Sequence, residues 1–113
     1  MKAYKGFNKD LTCRDFQFEE GQTYIHEGKV EPCESGFHAC TNPIDVLAYY
    51  PAYNGARYFE VECDGEIKNH DEDSKIACSQ ITVTSELNLI NLIKIGVQMI
   101  FDRVEKNKPE QYT

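Results

Sequence analysis

Apolar and polar residues alternate most cleanly over 57–63. Arg57, Phe59, Val61 and Cys63 fall on one side of a pleated run, and Tyr58, Glu60, Glu62 and Asp64 on the other, which predicts a half-buried strand. Asp64-Gly65 behind it predicts a tight turn, with Glu66-Ile67-Lys68 returning as a short strand and 69–75 as a polar loop. A second β-prone run covers 76–86, with Ile76, Cys78, Ile81 and Val83 as its core contributors. Its parity changes between Cys78 and Ile81, so a bulge or break is expected near Ser79. Beyond Leu87 the period becomes helical. Leu89, Leu92, Ile93, Val97, Ile100, Phe101 and Val104 recur on one side, which predicts a long C-terminal helix over about 88–106. Asn88 is its expected cap and Pro109 its stop, with a frayed tail from about 108. Gly96 inside it costs roughly 1 kcal/mol against Ala, which points to a close contact there.

The first half of the chain is more broken. Lys2 to Phe7 reads as a strand and Asn8-Lys9-Asp10 as a turn. Leu11 to Phe18 alternates only partly and is either a strand or an irregular loop, and Thr23 to His26 is a short β-prone run. Cys33 to Tyr50 is the best-punctuated segment: a turn at Gly36, a short strand over 37–40 with His38 and Cys40 on one face, then a helix. Asn42 is the expected N-cap, Pro43 suits the first helical position, and Asp45 sits near the positive end of the helix dipole. Ile44, Leu47 and Ala48, with Val46 beside them, make the expected buried stripe, and Pro51 stops the helix at Tyr50, giving a short helix over 43–50. Strands outnumber helices and do not alternate with them. The predicted fold is therefore α+β, one domain over 1–113, with a small, twisted, mostly antiparallel sheet system packed against the long helix.

Composition narrows the partners more than the fold. The 113 residues are 41% hydrophobic and 12% aromatic, with seven Tyr and no Trp. A formal charge of −7 repels a phosphate backbone, so nucleic acid is not expected, and a cationic face of a protein partner fits better. No run approaches the roughly 20 apolar residues of a membrane span, and the start lacks the apolar core of a signal peptide, so a cytoplasmic location is expected. Five cysteines are an odd number, which in a reducing compartment suggests thiols packed as small apolar groups.

Candidate chemistry is sparse. Cys13, Cys33, His38 and Cys40, with His26 in reserve, could make a zinc tetrad, but no CxxC pair supports it. His38 and Cys40, two apart on one strand face, point in parallel and meet poorly as a nucleophile and base. The run 69–74 lacks the glycine and the terminal Glu of an EF-hand loop. It does carry, with Lys75, the densest titratable set in the chain (His70, Asp71, Glu72), a natural place for a general acid or base. There is no phosphate-cradling glycine loop, and the motifs imply no cofactor.

Two resemblances add to this. Lys5-Gly6-Phe7, Asp10 to Gln17, Gly21 to Tyr24, Cys33 to Cys40, Tyr49-Tyr50, Glu72 to Lys75 and Ile81 to Val83 resemble a family of small uncharacterised domains from bacteriophages and mobile elements. That resemblance implies no particular activity; the net charge, the seven tyrosines and the absence of a complete catalytic set point to a non-catalytic binding or inhibitory module acting on a host protein through an acidic, tyrosine-rich surface. The order of elements is similar to ADP-ribosyltransferase-like folds. Lys5-Gly6 stands where those folds have Arg-Gly or His-Gly, Gly36 to Cys40 followed by 43–50 is similar to their central strand and helix, and 57–63 to the strand after it. This second resemblance implies an NAD cleft in which Lys5, Gly6, Tyr49 and Tyr50 bind the cofactor, His38 touches the pyrophosphate or ribose, and Glu72, or else Glu86, is the catalytic carboxylate. The expected function is thus a host-directed binding module. The alternatives are an NAD-dependent ADP-ribosyltransferase-like enzyme and a small zinc-stabilised adaptor.

Overall fold

The computed structural model describes residues 1–31, 34–70 and 73–106. Its elements in chain order are β1 (Lys2–Phe7), β2 (Thr12–Cys13), β3 (Phe16–Gln17), β4 (Thr23–Ile25), β5 (Phe37–Cys40), α1 (Pro43–Tyr49), a 3-10 turn (Ala52–Asn54), β6 (Arg57–Asn69), β7 (Lys75–Leu87) and α2 (Leu89–Lys106). All named pairings are antiparallel. β1 pairs with β6 over Lys2↔Glu62 to Phe7↔Arg57, β6 with β7, β7 with β5, and β5 returns to β1 at Tyr4↔Cys40. Four strands therefore close into a small ring, and β4 adds to the free edge of β7 beyond β5. The fold is α+β, as the pattern predicts.

β6 corrects one expectation. Asp64-Gly65 does not reverse the chain; the strand runs on to Asn69, and β7 is the returning strand. Asp64 faces Gln80 and Ile67 faces Cys78, so Gly65 and Glu66 together oppose Ser79. That is a β-bulge: Gly65 takes φ +75°, and the Glu66 N–H donates to Ser79 Oγ at 2.9 Å. The left-handed glycine that a tight turn needs serves a bulge equally well, and a partner strand lies alongside to receive it. The irregularity expected near Ser79 is present, with its extra residue on the facing strand.

The ring encloses a core of aromatic and β-branched residues, including Phe7, Phe18, Phe37, Phe59, Val61, Ile76, Ile81 and Val83. Phe7 meets Phe18 and Phe59 edge-on at centroid distances of 5.1 and 5.4 Å. A second, smaller cluster of Tyr4, Cys40, Val46, Tyr58 and Leu92 lies under α1. Asn42 caps α1, its Oδ1 accepting from Ile44 N–H at 3.0 Å, and the helix ends at Tyr49 with Tyr50 as its C-cap. The buried face is Pro43 and Val46, while Ala48 is exposed. Ile44 is turned toward α2, where a Cβ on Gly96 would collide with its side chain.

α2 departs most from expectation. Asn88 caps it as predicted, its Oδ1 accepting from Asn91 N–H at 2.8 Å. Yet only Leu92 and Gly96 are buried, and the helix packs on α1 rather than across the sheet. Val97, Ile100, Phe101 and Val104 remain exposed. A helical period reports that a face is apolar; it does not report what covers it. The tail from 107 lies outside the described residues.

Candidate functional site

β1, the β2–β3 hairpin, β5, α1 and the start of β7 surround one open cleft of about 270 Å³. Lys5, Gly6, His38, Tyr49 and Tyr50, separated by up to 45 positions in the chain, all line it, together with Arg14, Cys13, Cys40 and Lys75. Glu72 and Cys33 lie outside the described residues. Glu86 does not line the cleft; it forms a two-point pair with Arg57, Nε–Oε2 at 2.9 Å and Nη2–Oε1 at 2.8 Å.

Lys5 is the centre of the site. It alternates with Ala3 and Phe7, both fully buried, so its stem passes through the core and the residue is only 5% exposed. Its Nζ donates to the His38 carbonyl at 2.5 Å and lies 5.6 Å from the ring centres of Phe7 and Phe18. No carboxylate pairs with it among the described residues. A buried ammonium is ordinarily matched by an anion, because its desolvation costs several kcal/mol.

Arg14 reaches the cleft from a strained turn. Thr12↔Gln17 and Cys13↔Phe16 leave Arg14-Asp15 as a two-residue hairpin loop, with φ +52° and +66°. Such a loop favours Asn-Gly, and each non-glycine residue there costs about 1–2 kcal/mol. The guanidinium sits 3.5 Å from His38 Nδ1. A guanidinium only donates, so Nδ1 accepts and the imidazole is neutral. Burial first, then the Lys5 and Lys75 charges, lower the His38 pKa from 6.5 to about 4, while a hydrogen bond to the Glu31 backbone opposes the shift. Lys75 completes the cationic wall, its Nζ standing 4.2 Å over the Tyr49 ring.

Tyr49 and Tyr50 line the same cleft. Tyr50 packs so tightly on β1 that a Cβ on Gly6 would lie 2.6 Å from Tyr50 Cβ. Its hydroxyl donates to Cys13 Sγ at 3.0 Å, and burial raises its pKa well above the usual phenol range. Tyr49 donates to Asp73 Oδ2 at 2.5 Å and stays partly exposed. Cys40 is no nucleophile: burial first, then Asp73 and Asp45, push its thiol up to about 12. Among the described residues, no three His, Cys, Asp or Glu side chains gather as a metal site. Past Lys5 and His38 the cleft opens into a second depression of about 400 Å³, floored by Phe16, Phe18 and Phe37.

Sequence reasoning missed Arg14 as a site residue, because nothing in Cys13-Arg14-Asp15-Phe16 marks a two-residue hairpin. Lys75 was visible only as part of a titratable run; its place over Tyr49 depends on how β7 pairs with β5, where Cys40 faces Lys75.

A small antiparallel ring with a cationic, tyrosine-walled cleft is the class that fold and site define. Residues 1–95 match the family described as a domain of unknown function (DUF7666), and the chain belongs to that family. The match takes in every strand and α1, hence every residue named in the cleft, and stops within α2. No curated protein and no solved structure matches the chain. No described helix is long and apolar enough to cross a membrane.

Proposed function

We propose that this protein is a binding module whose working surface is the cleft, and that its ligand is a small phosphate-bearing molecule of the nucleotide class. The observation that carries this is Lys5: a buried ammonium, aimed at a cavity, with no carboxylate partner among the described residues. Arg14 and Lys75 add positive charge to the same cavity on a chain whose net charge is −7. No Asp or Glu lines the cleft itself among the described residues, while Glu27 and Glu34 line the depression beyond Lys5 and His38. Tyr49, with one ring face under Lys75, and Tyr50, packed on Gly6, line the same cavity and supply aromatic contact for a base or nicotinamide, and arginine and lysine offer donors to a pyrophosphate. The working surface is thus the cleft rather than the acidic exterior. In the bacteriophage or mobile-element setting that the sequence resemblance implies, the target becomes a host nucleotide rather than a host protein.

Thermal unfolding with ADP-ribose, NAD, AMP and inorganic pyrophosphate tests this. A ligand at 100 times its dissociation constant stabilises by roughly 2.7 kcal/mol. A saturable shift with at least one of these probes, lost in Lys5→Met, supports the proposal; no shift with any probe at millimolar concentration overturns it. A second reading, ADP-ribosyl transfer from NAD, is favoured because five residues that the architectural resemblance assigns to cofactor and catalysis (Lys5, Gly6, His38, Tyr49 and Tyr50) share one cleft. Nicotinamide release that stops in Glu72→Gln would support transfer; binding without release would leave the non-catalytic module.

A further inference from the structure

α2 carries two apolar faces, and the fold uses one. The first is Leu92 and Gly96, buried on α1; the line continues through half-buried Met99 to Arg103 and Lys106, which are charged and exposed, so this face ends before the last turn of the helix. The second is Ile90, Ile93, Val97, Ile100 and Val104, spaced alternately three and four residues apart and exposed at 64%, 38%, 41%, 49% and 63%. This is the spacing of a coiled-coil seam, which suits packing against another helix. With Leu89 and Phe101 at its borders it exposes on the order of 600 Å² per chain, the upper limit of what a monomer usually leaves bare. Two such stripes would bury up to about 1,200 Å², the lower limit of a specific interface.

We propose that this stripe binds α2 of a second copy of the chain, the two helices antiparallel. Charge selects both occupant and direction. Lys94 and Glu105 lie on the same edge of the stripe, about three full turns apart. An antiparallel two-fold sets Lys94 of each copy against Phe101 and Glu105 of the other, so each pair of opposite charges forms twice. It also sets the two bodies, each packed on Leu92 and Gly96 in the first half of its helix, toward opposite ends of the helix pair, where a parallel pair would set them at the same end. An anionic lipid surface would meet the same acidic body and be repelled by it.

Light scattering on the full chain, from 5 to 200 μM, tests the proposal. The expected result is a species of twice 13.0 kDa. Ile100→Asp and, separately, Val97→Asp should give monomers with unchanged far-ultraviolet circular dichroism, because both positions are exposed in the single chain. Lys94→Glu should weaken the dimer about tenfold, from two lost pairs, and Lys94→Glu with Glu105→Lys should restore it. A monomer over the whole range, a dimer indifferent to Ile100→Asp, or a monomer that sediments with phosphatidylcholine–phosphatidylglycerol vesicles would overturn it.

Discussion

Replacing Lys5 by Met separates a residue kept for binding from one kept for the fold. Met matches the lysine stem in length and removes only the charge. The substitution loses one charge-assisted hydrogen bond to the His38 carbonyl, about 1.5–3 kcal/mol, and two contacts to Phe7 and Phe18, each about 0.5–1 kcal/mol. Against this it recovers the desolvation of a buried ammonium, several kcal/mol, with no carboxylate left unpaired behind it. The opposing contributions nearly cancel, so the free energy of unfolding should stay the same or rise by up to about 2 kcal/mol. Binding of ADP-ribose should fall by roughly 10- to 100-fold, the worth of one charge-assisted contact. Urea unfolding followed by tyrosine fluorescence reads the first quantity, and calorimetric titration the second. A loss of more than about 3 kcal/mol of stability with undiminished binding would refute the reasoning and make Lys5 a structural residue.

Three other outcomes follow from the same geometry. Asp15→Gly should raise stability by about 1 kcal/mol and leave ligand binding intact, whereas Arg14→Asn with Asp15→Gly should raise it by up to about 2 kcal/mol and weaken binding, as urea melts and titrations would show. His38 has a folded pKa of about 4 against 6.5, so the unfolded chain binds more protons between those values; its contribution is complete above pH 6.5 and lost as pH falls toward 4. Urea melts at pH 7 and 4.5 should differ by about 2–3 kcal/mol more in the wild type than in His38→Gln. Gly96→Ala gains roughly 1 kcal/mol of helix propensity but drives a methyl into Ile44, which costs about 1–3 kcal/mol, so thermal unfolding should show no gain or a net loss.

How much was legible follows from what each signal encodes. The strand of 57–63 and the cap at Asn42 are local features, written in alternation and in one side chain, and both are present. Asp64-Gly65 was misleading because φ > 0 is shared by turns and bulges, and only the register of Ser79 tells them apart. The grouping of Lys5, His38, Tyr49 and Tyr50 was suggested by the order of elements, not by spacing. Arg14 could not be seen, since its position depends on a hairpin whose loop residues defy the usual preference. Val46 rather than Ala48 faces inward on α1, because α2 occupies the side on which Ile44 lies.

The central claim is that an anionic ligand seats against Lys5, and amide and imidazole NMR during titration with ADP-ribose tests it most directly. The cleft predicts shifts confined to Lys5, Gly6, Arg14, His38, Tyr49, Tyr50 and Lys75, with the His38 pKa rising from about 4 as an anion offsets the cations around it. Shifts gathered elsewhere, or a His38 titration unmoved at saturation, would contradict it.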